Sequence, residues 1–379
     1  MNILDQEVIL EFFRSHYELF IGSVFLITFA LTYYLIPKVI WVSNQKDLMA
    51  TVNAGSVHKT AVPAFGGVAF FISLMLVLSI VQTMRLSFEG NHLIAAITLL
   101  FMVGLRDDMV ESSAKVKLLG QMTAAMFLIF SPALALENLH GFLGVHAIHP
   151  LMGLFIKLFI VIALINAYNL IDGIDGLAGA TGMIISATFG FIFYTTGHSF
   201  DLLVSISILG VLAAFLRFNF SRKKKIFMGD SGSMVIGLLL AFLSVKFIGM
   251  KPQANLMAEG YSPANRLLFL ACILFIPIFD TLRVVAVRVK NGSRLFKADR
   301  NHSYHVLLDL GLSHRKASLV MGLMNLGVIV FFLQFSRMLP HLWLAGLVFS
   351  FYASAFGLFA ILKNIAVRKM AVTSKVVTE

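Results

Sequence analysis

The sequence predicts an all-α, polytopic integral membrane protein. Three observations carry that: 59% of its 379 residues are hydrophobic, only 13% are charged, and apolar runs long enough to cross a bilayer recur along the whole chain. The runs are continuous rather than alternating, which makes them helices and not barrel strands. One cysteine, Cys272, excludes an internal disulfide framework; it lies in an apolar run and reads as a small buried hydrophobe.

About eleven spans are expected at roughly 20 residues each. In order they are Leu19–Trp41, Phe65–Met84, Leu93–Leu105, Val116–Leu136, Leu151–Leu170, Leu177–Thr196, Leu202–Phe218, Ser233–Met250, Leu267–Val285, Leu319–Phe335 and Leu342–Leu362. The third is the shortest. Residues 1–379 form a single transmembrane domain, with no soluble domain, low-complexity tract or internal repeat. Asp5, Glu7, Glu11 and Glu18 precede the first span, which lacks a basic leader and is expected to be retained.

Loop charge sets the orientation. Most Lys and Arg fall in 42–63, 106–117, 171–176, 219–230, 287–317 and the C-terminal segment; the opposite loops hold Arg14, Arg85, Lys251, Arg266 and Arg337. The N-terminus is therefore expected outside and the C-terminus in the cytoplasm. Trp41 and Trp343 fall at span ends, as interfacial anchors. The formal net charge of +11 thus reads as a topology signal and not as a nucleic-acid surface. His140, His146, His149 and His198 fall in external segments and read as solvent-exposed.

The scarce acidic residues are the informative ones. Asp107, Asp108, Asp172, Asp175, Asp230, Asp280 and Asp299 all lie at or just beyond the cytoplasmic ends of spans, interleaved with Lys115, Lys117, Arg288, Arg300, His302 and His305. A lone aspartate there would be a helix cap or a counter-charge. A ring of carboxylates and cations at one membrane surface points to divalent metal and phosphate. Gly104-Leu-Arg-Asp-Asp108 pairs two carboxylates that need a counter-charge, and Lys117 is placed to face a transferred phosphate. Asn166-Ala-Tyr-Asn-Leu-Ile-Asp-Gly-Ile-Asp-Gly-Leu177 brings Asn169, Asp172 and Asp175 into a glycine-permitted turn without EF-hand spacing. In Phe227-Met-Gly-Asp-Ser-Gly-Ser233, Asp230 resembles a helix N-cap, and a helix N-terminus also seats phosphate. Arg288 and Asp299-Arg-Asn-His-Ser-Tyr-His305 add bidentate phosphate donors and a histidine pair for proton transfer. Pro277 marks either a bend opening a lateral groove for a lipid or an ordinary kink.

In this order the motifs resemble those of the polyprenyl-phosphate N-acetylhexosamine-1-phosphate transferase family. The resemblance runs from Asn53 to Ala317. It is carried by Ser56-Val-His-Lys59 before Pro63 and Gly66-Gly67, then Asp107-Asp108, Asn-Leu-Ile-Asp-Gly-Ile-Asp-Gly, Phe-Met-Gly-Asp-Ser-Gly-Ser, Pro277-Ile-Phe-Asp280 and Asp-Arg-Asn-His. It implies transfer of a sugar 1-phosphate, most simply GlcNAc 1-phosphate, from a UDP-N-acetylhexosamine to undecaprenyl phosphate. UMP would be released at the cytoplasmic face of the bacterial inner membrane, with Mg²⁺, or Mn²⁺, as cofactor. By the same resemblance Asp230 is a metal ligand, with Asp107 and Asp108 serving the metal and the lipid phosphate. Lys117 and His302 are catalytic. Asn169, Asp172 and Asp175 lie around the nucleotide or the metal. Arg288, Arg300 and His305 line the diphosphate and sugar, and His58 with Lys59 meets the lipid phosphate.

Ala64-Phe-Gly-Gly67, and the absence of a consecutive-histidine block, place the resemblance in the WecA-like branch that starts O-antigen, teichoic-acid and related glycans. The branch using UDP-MurNAc-pentapeptide is the alternative within the family, and a lipid-linked sugar transporter the alternative outside it. Gly55, Ala64 and Tyr304 stand where the WecA-like branch usually has arginine, arginine and histidine. The expected partners are the two substrates and membrane lipids, with a homodimer left open and no nucleic acid.

Overall fold

The structure is a computed structural model that describes residues 13, 15–48, 62–84, 86–110, 112–251, 262–292 and 301–377. Each of the eleven apolar segments contains α-helix. The helices are α1 (Tyr17–Gln45), α2 (Gly66–Thr83), α3 (Glu89–Met109), α4 (Ala114–Ile129), α5 (Pro150–Leu170), α6 (Leu177–Thr195), α7 (Ser199–Asn219) and α8 (Gly229–Gly249). They continue with α9 (Arg266–Ile273), α10 (Phe275–Lys290), α11 (Ser303–Asp309), α12 (His314–Phe335) and α13 (His341–Val377). Inside a bilayer each backbone polar group must be satisfied within its own segment, which makes helix the answer to an unbroken apolar run.

Eight of these helices are long and apolar enough to cross a membrane, and nine if α9 and α10, bent by 69° at their junction, count as one span. The two expected spans that fall short are neighbours. Helix α3 carries Glu89 at one end and Arg106, Asp107 and Asp108 at the other, and α4 has 16 residues. At 1.5 Å per residue α4 reaches only about 24 Å, against a hydrocarbon core of roughly 30 Å. Its expected continuation to Leu136 is cut by Ser131 and Pro132, which turn into a short 3₁₀ segment. A two-stranded antiparallel hairpin, β1 (Asn138–Phe142) and β2 (Val145–Ala147), comes next and is the departure from an all-α chain.

The core centres on α8, buried along almost its whole length from Ser231 to Ile248 and packed against α5, α3 and α2. Lipid tails supply no hydrophobic drive between helices, so close approach of small residues does the packing. At Gly237 an added Cβ would sit 2.9 Å from the Ile165 Cα of α5. Helix α7 packs on α6 and α1, and α9, α10 and α11 lean on α12 and α13. Cys272 is fully buried, as expected of a small hydrophobe. His146 and His149 are exposed, but His140 and His198 are half-buried. The His140 ring meets Arg266 and the Ile248 carbonyl, and His198 faces Asp201 at 3.5 Å.

Candidate active site

One end of the bundle gathers the C-terminal ends of α3, α5 and α7 and the N-terminal ends of α2, α4, α6 and α8. The N-terminus of α8 is the organising feature. Its first amides are not capped by Asp230, which lies inside the first turn; Met228 is the cap residue and offers no side-chain bond. The cap comes instead from α3. Asp108 accepts from the backbone N–H of Asp230 at 2.6 Å, from that of Ser231 at 3.0 Å, and from the Ser231 hydroxyl at 2.5 Å. A carboxylate at a helix N-terminus satisfies orphan donors and complements the helix dipole.

The approach needs glycine. A Cβ at Gly104, one turn before Asp108 on the same face, would lie 2.5 Å from the Ser231 Cα, and one at Gly67 would collide with the Gly232 nitrogen. Backbone bonds from Gly66 to the Phe227 carbonyl and from Gly67 to the Met228 carbonyl, at 3.0 and 2.9 Å, stitch the start of α2 to the same turn.

Capped in this way, α8 presents the Asp230 side chain to a polar cluster. Asn169, at the end of α5, donates to Asp230 at 2.6 Å and to the Ser233 hydroxyl at 2.7 Å. Lys117, in the first turn of α4, pairs with Asp230 and lies 3.3 Å from Asp107. Asp107 also accepts from the Ser112 amide at 2.9 Å. The lysine thus bridges carboxylates from two helices.

The turn between α5 and α6 forms one wall. Gly176 adopts φ +81°, a left-handed conformation that favours glycine, and its N–H donates to Asn219 of α7 at 2.7 Å. Asn219 in turn donates to the Ile226 carbonyl at 3.0 Å, tying this turn to the segment before α8. Asp175 pairs with Lys225 at 2.6 Å and faces His314 at 3.4 Å. The Asp172 carboxyl is pushed well above the usual carboxylate range, first by desolvation and then by the charges of Asp230, Asp108 and Asp175. A cavity of about 300 Å³ opens between these elements, lined among others by Ala64, Asp108, Asn169, Asp172, Asn219 and Asp230.

Helices α10 and α11 reach the same turn from the other side. Asp280, fully buried, receives the Ser303 amide at 2.6 Å and holds the His302 ring through Nδ1 at 2.7 Å. Arg283 donates to the Asn301 carbonyl. The His302 and Tyr304 rings stack at 5.2 Å, with His305 4.5 Å beyond Tyr304. Tyr304 packs against Gly173, where an added Cβ would collide with its hydroxyl. Arg288 is buried in the last turn of α10.

Of the residues singled out in sequence, Asp107, Asp108, Lys117, Asn169, Asp172 and Asp230 converge. Asp175 is directed to Lys225 and His314; His302 is the cap residue of α11 and His305 lies in its first turn, next to Tyr304. His58, Lys59 and Gly55 lie in 49–61, and Asp299 and Arg300 in 293–300, outside the described residues. Asn219 and Ser231 were not singled out, and Asp280 was given no partner. Asn219 and Ser231 carried the same faint signal, a polar residue at the end of an apolar run, whereas Asp280 lies within one.

Among the described residues no three His, Cys, Asp or Glu side chains stand close enough to form a ready-made metal cage. The donor chemistry nevertheless fits a hard divalent cation. The carboxylates of Asp108, Asp172 and Asp230 share one cavity, and the ammonium of Lys117 already occupies a cation position between Asp107 and Asp230. Mg²⁺ is commonly held by one or two carboxylates plus water and substrate phosphate, not by an all-protein cage.

The profile of glycosyl transferase family 4 matches residues 91–248. The chain is 31% identical over 296 residues to a decaprenyl-phosphate N-acetylglucosaminephosphotransferase of Mycolicibacterium smegmatis, covering 73% of this chain and 72% of the relative. It is 28% identical over 322 residues to the protein of the same name from Mycobacterium leprae, covering 79% and 80%. It is 26% identical over 286 residues to the undecaprenyl-phosphate alpha-N-acetylglucosaminyl 1-phosphate transferase of Escherichia coli K12, covering 74% and 75%.

Proposed function

Because the chain belongs to glycosyl transferase family 4, we propose that it transfers N-acetylglucosamine 1-phosphate from UDP-GlcNAc to a polyprenyl phosphate, undecaprenyl phosphate in particular. The reaction releases UMP and opens envelope polysaccharide synthesis at the cytoplasmic face of the bacterial inner membrane. The observation that carries the reading is the Asp230 cluster: Asp108, Asn169 and Asp230 line one cavity, and Lys117 bridges Asp230 to Asp107.

Two anionic phosphates must meet, so repulsion is the first obstacle. A divalent cation, Mg²⁺ or Mn²⁺, held by Asp230 with Asp107 and Asp108 beside it, would neutralise the pyrophosphate and the departing UMP. The residues of the chain do the rest. Asn169 fixes the Asp230 carboxylate, and Asp108 locks the first turn of α8 that carries it. Lys117 balances Asp107 and Asp230 and stands ready to follow developing negative charge.

The lipid phosphate is already largely ionised near neutral pH, its second pKa being about 6. Its oxygen attacks the sugar-bearing phosphorus directly; one P–O bond forms, the pyrophosphate bridge breaks, and UMP leaves with the bridging oxygen. No strong base is required. Asp172 and Asp175 serve the nucleotide side, His302, His305, Arg288 and Arg300 the sugar and diphosphate, and His58 with Lys59 the lipid phosphate. Purified protein given polyprenyl phosphate, a divalent cation and a panel of UDP-N-acetylhexosamines should release UMP and form a lipid-linked sugar diphosphate, fastest with UDP-GlcNAc. Absence of UMP release with every sugar would refute the reading.

A further inference from the structure

The span formed by α9 and α10 turns by 69° around Leu274. Pro277 explains why it breaks there: it has no N–H for the carbonyl four residues back, that of Ile273, and its ring crowds that carbonyl. Such a break inside a membrane protein leaves polar backbone groups that water cannot reach. Here other helices supply the partners. Tyr352 of α13 donates its hydroxyl to the Ala271 carbonyl at 2.8 Å. Asn325 of α12, fully buried, donates Nδ2 to the Ile273 carbonyl at 3.0 Å and accepts the Ile276 N–H at 3.0 Å through Oδ1. The flanking bonds, Leu274 N–H to the Leu270 carbonyl and Ile278 N–H to the Leu274 carbonyl, are intact at 3.0 and 3.1 Å. One carboxamide therefore fills the carbonyl that the proline abandons and the amide beside it. Only a side chain with a donor and an acceptor at that spacing can do both.

The direction of α10 beyond the bend determines where α11 stands. Asp280, three residues after Pro277, holds His302 and the first amide of α11, and Tyr304 of α11 sits on Gly173 in the cavity wall. We propose that Asn325 is a positioning residue of the transferase. It keeps the α9–α10 span bent and, through Asp280 and His302, sets where Tyr304 meets the 171–176 turn. This rests on the transferase reading given above, because the effect on turnover presupposes that reaction.

The test compares the full-length protein with Asn325→Leu and with the double variant Asn325→Leu/Pro277→Ala. Asn325→Leu should melt at a lower temperature and lose at least about tenfold in kcat. In the double variant the Pro277→Ala change supplies an N–H for the Ile273 carbonyl, and a continuous helix also takes the Ile276 N–H. Thermal stability should return while kcat stays low. Spin labels on Val289→Cys and Leu319→Cys, positions 66% and 61% exposed, should give a distance shifted by several ångströms in the double variant, since α10 is about 24 Å long. Recovery of both stability and kcat in the double variant would overturn the proposal, leaving Asn325 as a stabilising contact only. So would wild-type behaviour of Asn325→Leu, a double variant no more stable than the single one, or an unchanged label distance. If the wild-type protein releases no UMP, the transferase reading fails, and the stability and distance measurements still decide whether Asn325 holds the bend.

Discussion

Gly104→Ala tests whether close packing at the α3–α8 contact builds the site. The added Cβ would lie 2.5 Å from the Ser231 Cα, 2.7 Å from its nitrogen and 2.9 Å from the Asp230 carbonyl carbon. All three are backbone atoms, so no side chain can swing aside. Restoring an ordinary contact of about 3.5 Å requires the first turn of α8 to retreat by about 1 Å. Asp108 stands one helical turn away on the same face, so the same retreat lengthens its bonds to the Asp230 and Ser231 amides, now 2.6 and 3.0 Å, beyond hydrogen-bonding reach. Overpacking of this kind costs about 1–3 kcal/mol. A 1 Å displacement of a catalytic group lowers turnover by about 10²-fold. UMP release should therefore fall by about two orders of magnitude, with a lower thermal midpoint in detergent. Gly327→Ala on α12 is the control, because a Cβ there meets nothing within 4 Å; it should leave turnover unchanged and should not lower the thermal midpoint. Wild-type turnover in Gly104→Ala would refute the packing argument.

Asp230→Asn and Lys117→Met should each reduce turnover by at least about 10²-fold, and the double variant should be little worse than either, since paired groups act as a unit; additive losses in a kinetic double-mutant cycle would count against their coupling. Gly173→Ala should impair activity by pushing on the Tyr304 hydroxyl, and adding Tyr304→Ala should relieve that clash; a double variant no better than Gly173→Ala would place the fault elsewhere. The Asp172 carboxyl keeps its proton to higher pH in the folded protein than in the unfolded chain, so folding takes up a proton between the two values. Stability contributed by the neutral form is present at low pH and is lost as pH rises through the folded value. Asp172→Asn, neutral throughout, should raise the thermal midpoint above that window and change it little below. A pH series of melting curves showing no gain at alkaline pH would refute this.

The Asp-Gly-Ile-Asp-Gly turn and the Asp-Asp pair were legible in sequence because each is a local irregularity: charge or glycine where an apolar run ends. The bend was half legible. Pro277 marked it, but the residue that satisfies it, Asn325, is a single polar side chain in the middle of an apolar helix, and nothing in the sequence says which backbone groups it serves. The N-cap of α8 was misplaced for a related reason. A local reading gives the cap to Asp230, whereas the three-dimensional contact gives it to Asp108, more than a hundred positions earlier.

By itself, the sequence determined that the chain is a helical membrane protein with a set of aspartates near one set of span ends. Hydropathy and the need to satisfy backbone groups within each segment act along the chain, so they can be read there. Only the tertiary structure decided which carboxylate caps a helix, which one pairs with Lys117 and which glycines must lack a Cβ. Hydrogen-bond satisfaction and close packing are relations between distant segments, and no single segment contains them.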